Sequence, residues 1–193
     1  MTFGIYAGSV AGTETDLAIG KEDNPQLILQ ALTQLSSPDK VFLIRGYIHY
    51  LGEGRLGYEA PENIEQYANE NRRLDIVICY RSSKYDESDW TRSVIKIINR
   101  YKDKLSTIQI TEEPNLKTAY AGDGSFNNIE KALLTGVVTA KKEIEKQQLK
   151  VKVGFNAVPS FNPADNFWNI IGNDRHRTGF IRAYKSIEIG IIS

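Results

Sequence analysis

The run "TIQITEEPNL", Thr107 to Leu116, ends a strand-like segment in two adjacent carboxylates, a proline and an asparagine. In extended chain, alternate side chains share a face. Ile108 and Ile110 then occupy one face, with Thr107, Gln109, Thr111 and Glu113 on the other, so alternation sends Glu113 inward and Glu112 outward. Pro114 has no N–H to continue a ladder and stiffens the turn. A carboxylic acid held at the mouth of a cleft beside apolar walls has a raised pKa, which suits it to donate a proton at neutral pH. Cleavage of a glycosidic bond needs such a donor at the leaving oxygen and a second carboxylate as nucleophile or base. The plain alternative is that "EEPN" is a solvated turn.

Other chemistries lack their residues. His49 and His176 are the only histidines, far apart and in no HxH or HExxH spacing, so no metal site is expected. No GxSxG elbow supplies an acyl-transfer nucleophile. The single cysteine, Cys79, lies in an apolar run and reads as a buried, inert thiol; it excludes an intrachain disulfide framework and a multi-cysteine zinc site. "GEGRLG", Gly52 to Gly57, fits GxGxxG after a strand. A dinucleotide fingerprint opens its helix directly, whereas here the next helix start is delayed to about Pro61. Asp75 precedes the apolar core of the following strand, where the ribose-binding acid should come after it. A βα loop is the better reading, and no cofactor is expected.

The elements that would position the carboxylates alternate along the chain. Apolar, β-rich runs begin at Phe3, Val41, Leu74, Leu105 and Val151, and "SIEIGIIS" ends the sequence. Segments of helical spacing separate them. Asn24-Pro25 offers a cap and a first-turn proline before Leu27, Ile28, Ala31, Leu32 and Leu35. Ser88 can cap a helix carrying Trp90, Val94, Ile97, Ile98 and Tyr101. Phe126, Ile129, Leu133, Val137, Ala140 and Ile144 form a further stripe, and Asn162-Pro163 precedes another, Phe167 to Ile171. A short polar helix is expected after Pro61. This alternation predicts an α/β fold with a parallel sheet covered by helices. Polar parity on the fourth and fifth strands favours a barrel wall over a doubly wound sheet, whose two faces are both apolar.

The chain has 193 residues, 41% of them hydrophobic, which suits a single domain with a real core and excludes a largely disordered chain. Basic and acidic residues balance at 24 each, giving no electrostatic case for nucleic acid or an acidic membrane. No apolar run has membrane-spanning length and the N-terminus lacks a signal-peptide pattern, so a cytoplasmic protein is expected.

With these residues in view, "IQITEEPN" resembles the fourth-strand motif of clan A glycoside hydrolases, an apolar strand ending in Asn-Glu-Pro. "FGIYAGS", "FLIRGYIHY" and "KVGFNAV" resemble the first, second and fifth strands. The resemblance implies an incomplete (β/α)8 TIM-type barrel of about six βα units, spanning residues 1–193 as one domain, with a carbohydrate ligand. It implies that Glu113 is the general acid/base and that Glu112 replaces the asparagine that contacts the sugar. Arg45 matches an active-site arginine, and Tyr80, Arg81 and Asn156 lie at strand ends where they could line the cleft. The family's nucleophile, a glutamate on the seventh strand, has no counterpart, and Glu188 is no substitute. Weak or absent hydrolysis is therefore expected, together with self-association or a completing partner chain at the open sheet edges. Two other readings stand: a non-catalytic carbohydrate-binding barrel fragment, with Tyr47, Tyr80 and Trp168 as stacking candidates, and a nucleotide-binding α/β domain resting on "GEGRLG".

Overall fold

A computed structural model describes residues 3–13, 15–117 and 122–158 of the chain. The expected helix at Asn162-Pro163 and the final strand-like run, with Trp168, His176 and Glu188, lie outside the described residues. The main sheet contains β1 (Phe3–Tyr6), β4 (Phe42–Gly52), β5 (Arg55–Ala60), β6 (Arg72–Tyr80), β7 (Leu105–Ile110) and β8 (Lys152–Gly154). Its parallel strands run β1-β4-β6-β7-β8, so each new one adds to the same edge. A doubly wound sheet reverses direction at a switch point; this order does not. β5 pairs antiparallel with β4, and β2 (Val10–Gly12) and β3 (Leu17–Ile19) form a separate small antiparallel pair. Neither β5 nor the small pair was expected from the sequence.

Among the described residues three helices lie between the parallel strands. α1 (Pro25–Leu35) begins as its sequence predicts: Asn24 Oδ1 accepts the Gln26 N–H at 2.8 Å, and Pro25 takes the first turn. α2 (Glu87–Tyr101) is capped by Asp86, whose Oδ1 accepts the Asp89 N–H at 2.9 Å, and not by Ser88. Asp86 is the better acceptor because its carboxylate also meets the positive end of the helix dipole. α3 (Ile129–Lys146) buries the expected stripe of Ile129, Leu133, Val137, Ala140 and Ile144. The expected polar helix after Pro61 is a single 3-10 turn, Ile64–Tyr67, with Ile64 and Tyr67 buried.

The core lies on one face of the sheet. Ile44, Ile48 and Tyr50 of β4, Leu74, Ile76, Ile78 and Tyr80 of β6, and Ile108 and Ile110 of β7 form one cluster with the helices. Trp90 of α2 is fully buried there, its Nε1–H donating to the Ala132 carbonyl at 2.8 Å. Each such aliphatic side chain contributes roughly 1.5–3 kcal/mol by leaving water. A register shift between Leu74/Leu105 and Asp75/Thr107 inserts Ser106 as an extra residue. It lets Leu105 and Ile108 both join the core while Thr107 sits opposite Asp75.

Candidate functional site

The opposite face is mixed, with its charged and amide groups beside the apolar Val77 and Cys79. Strand alternation gives it Arg45, Tyr47 and His49 from β4 and Asp75, Val77 and Cys79 from β6. The parallel register sets Arg45 beside Asp75, Tyr47 beside Val77 and His49 beside Cys79. β7 adds Thr107 and Gln109, and β8 adds Gly154 opposite Gln109.

Asp75 organises the lower part of this face. Its carboxylate is buried and accepts from Arg45 Nε at 2.9 Å and Nη2 at 2.7 Å, from Gln109 Nε2 at 3.1 Å, and from the Thr107 hydroxyl. Arg45, placed near the cleft by its resemblance, does sit there, but its charge is committed to Asp75.

The tandem glutamates follow β7. Thr111 still donates its N–H to the Ile78 carbonyl, yet its φ is +66°, a left-handed conformation rare for a β-branched residue. That turn breaks the two-residue alternation on which the expected parity rested. Glu112 therefore reaches the polar face: its Oε2 accepts Asn156 Nδ2–H at 2.9 Å, and its charge is felt by Arg45, Arg81 and Tyr47. Burial pushes the Glu112 carboxyl up to about 7, with Asn156 and the two arginines acting in the opposite direction and Glu113 adding to the rise. Glu113 is half-buried at the rim, with φ +42°; its N–H donates to Asn156 Oδ1 at 3.0 Å, and burial raises its pKa. Asn156 thus bridges both glutamates. Beside it, Asn115 grips the main chain of Val158, donating to its carbonyl at 2.6 Å and accepting its N–H at 2.9 Å. The "EEPN" run is therefore pinned to the segment after β8, not a free solvated turn.

Tyr80 and Arg81 are placed differently from their expected roles in lining a sugar cleft. Tyr80 turns into the helix-side core, its ring 5.2 Å from that of Trp90 and 5.7 Å from that of Tyr50. Arg81 is almost wholly buried at the strand end, its Nε 3.0 Å from Asp123 Oδ1, with Nη1 donating to the Gly122 carbonyl at 3.2 Å. Its guanidinium lies over the Phe126 ring at 5.5 Å.

Asp75 and Asp123 were not expected at the site. A lone carboxylate inside the apolar run "LDIVICY" demanded a buried partner and could have flagged Asp75. Asp123, between two glycines, carries no such signal. Gly122 permits the close approach of this loop, since a Cβ there would lie 2.8 Å from the Glu113 carbonyl oxygen.

"GEGRLG" forms the β4–β5 hairpin, with Gly52, Glu53 and Gly54 all at positive φ. The hairpin tip is tied to α2 by the Gly54 N–H donating to Asp89 Oδ2 at 2.7 Å. It is not a loop opening a helix, so the phosphate-cradle geometry is missing there. Among the described residues no cluster of acids, histidines and cysteine has metal-site geometry, and no helix is long and apolar enough to cross a membrane. Cys79 is buried, and burial raises its thiol pKa, with Asp123 and Glu112 adding to the rise. His49 is also buried, and its pKa is lowered to about 4 by burial and by Arg81.

Comparison with protein families, with curated proteins and with solved structures finds no match.

Proposed function

We propose that this chain is a glycoside hydrolase-like protein whose sheet belongs to a (β/α)8-type barrel wall and whose polar face takes a carbohydrate. The sequential parallel order supports the wall. The observation that carries the site is the pair Glu112–Glu113 at the carboxyl end of β7, clipped to Asn156 from beyond β8. Chemistry in parallel barrels is built at that end of the strands.

Glu113, half-buried at the rim, is the proton donor to the glycosidic oxygen. Its raised pKa keeps a larger fraction of it protonated near neutrality. Glu112 and Asn156, with Arg45 and Tyr47 on the same face, provide donors and acceptors for sugar hydroxyls. A double displacement needs a second carboxylate about 5 Å from the first. Asp75 and Asp123 are committed to Arg45 and Arg81. That commitment favours the second reading, a carbohydrate-binding face with weak or no turnover.

Calorimetry with a panel of mono- and oligosaccharides, run beside aryl glycoside release, separates the readings. Release abolished by Glu113→Gln with binding retained supports hydrolysis. Binding without release, lost in Glu112→Gln and Asn156→Ala, supports the binding face. No binding and no release with the whole panel would sink both.

A further inference from the structure

Asp123 is the most deeply buried acid near the glutamates, with no exposed surface. Its Oδ2 accepts two main-chain N–H groups from different strand ends: Tyr80 at 2.6 Å, closing β6, and Glu112 at 2.7 Å, following β7. Its own N–H donates back to the Glu112 carbonyl at 2.7 Å. Its other oxygen, Oδ1, lies 3.0 Å from Arg81 Nε. The Asp123 carboxylate and its main-chain N–H therefore hold the Glu112 backbone on both sides, and the carboxylate also holds the Arg81 charge.

We propose that Asp123 is a positioning residue of this site, fixing the direction in which the Glu112 carboxylate enters the cleft and holding the Arg81 charge in place beside it. A buried carboxylate needs partners for its oxygens. Here the partners chosen are the two strand ends that frame Glu112. The left-handed turn at Thr111 makes the contact useful: without a tie to the Glu112 N–H, nothing in the strand ladder holds that peptide. The charged and titratable groups facing Glu112 are Arg45 and Tyr47 from β4, Cys79 and Arg81 from the end of β6, Glu113, and Asp123; Asn156 supplies its hydrogen bond.

The test is residue-resolved NMR titration of the side-chain carboxyl carbons. In the wild type the Glu112 curve should show a second inflection where Asp123 titrates, because coupled acids share macroscopic steps. Asp123→Asn keeps an oxygen that can accept both N–H groups but removes the charge and frees Arg81. The Glu112 curve should become a single step, moved down by about half a unit to one unit. Sugar affinity in that variant should fall by about tenfold, since a small misplacement of a contact group is enough for such a loss. A purely structural Asp123 would change the melting temperature and shift the Glu112 curve through its charge alone, but would leave in place the Asn156 side-chain amide resonances, whose N–H donates to Glu112 Oε2 in the wild type. A folded Asp123→Asn in which those resonances are unmoved overturns the proposal. If that variant does not fold, Asp123→Glu, which keeps the charge and displaces the carboxylate, takes its place with the same readout, and unmoved Asn156 resonances overturn the proposal there as well. The affinity arm rests on the carbohydrate reading and the titration arms do not. Displaced Asn156 resonances in a protein that binds no sugar would keep Asp123 as the positioning residue and discard the sugar.

Discussion

The two faces of the sheet are made by the same strands under opposite rules. On the helix side, Ile44, Ile76, Ile78, Ile108 and Ile110 have no exposed surface and face Trp90, Val94 and Leu133 in an apolar layer. On the other side, Arg45, Asp75, Thr107 and Gln109 satisfy one another through directed hydrogen bonds. Apolar packing is non-directional and tolerates rearrangement, whereas a polar network loses much of its value when one member is removed. The helix side should therefore carry most of the stability, and the polar side should carry the geometry of the site. Substitutions on each side can break or sharpen that contrast.

The largest effect is expected for Trp90→Ala. The indole is fully buried between Tyr50 and Tyr80, and its N–H is bonded to Ala132. Its removal opens a large cavity and should cost about 3–5 kcal/mol in urea unfolding. A loss below about 1 kcal/mol would mean that this side is not the main stabilising layer.

Asp75→Ala comes next. It leaves the partly buried Arg45 charge without a partner and removes the acceptor from Thr107 and Gln109, which should cost about 2–4 kcal/mol. Asp75→Asn retains an acceptor and should recover part of that loss. Equal losses in the two variants would show that charge alone, not the network, is what Asp75 provides.

The acid pair yields a smaller effect that depends on pH. The unfolded chain releases the Glu112 proton near 4.5, while the folded chain holds it until about 7. Between those values the folded state binds more protons, so stability falls as pH rises. The Glu112 contribution is complete below about pH 4.5 and lost above about 7, a change of roughly 1–3 kcal/mol. Buried Asp123, also raised to about 7, acts in the same direction. Glu112→Gln should flatten part of the slope in a pH series of thermal or urea unfolding and leave a smaller Asp123 part, since Glu112 contributes to the rise of Asp123. A series in which the variant and the wild type fall in parallel would place the Glu112 carboxyl in a solvated setting.

The same contrast explains what could be read in the amino-acid sequence. Periodicity reports which face is apolar, and it located α1, α3 and the strand rows because nothing local competes there. Asn24-Pro25 was legible for a similar reason, since cap and proline act within one turn. The failures sit where backbone conformation departs from the periodic template. Alternation carried through Thr111 predicts Glu113 inward, whereas the left-handed φ of Thr111 places Glu112 inward instead. Tyr80, at the end of a strand, keeps strict alternation and so belongs to the core with Ile76 and Ile78. "GEGRLG" fits two local geometries, and the hairpin wins because β5 has β4 to pair with. Asp123 depends on a tertiary contact made 43 residues away from Tyr80, which no local pattern encodes.

The smallest effect on stability is expected at the β1 side of the sheet. Among the described residues β1 pairs only with β4, and Phe3 and Ile5 are exposed at 65% and 38%. With Leu35, Val41 and Phe42 they line a groove of about 410 Å³. Phe3→Glu removes an apolar ring that is already largely in water, so unfolding free energy should change by no more than about 0.5 kcal/mol. Its effect should appear instead in association. An exposed apolar strand with free N–H and C=O groups is a template for another chain, and a charge on it opposes pairing. Sedimentation velocity over a concentration series should show less self-association for Phe3→Glu than for the wild type. A loss of several kcal/mol, with no change in association, would show that Phe3 packs within its own chain and that this edge is closed.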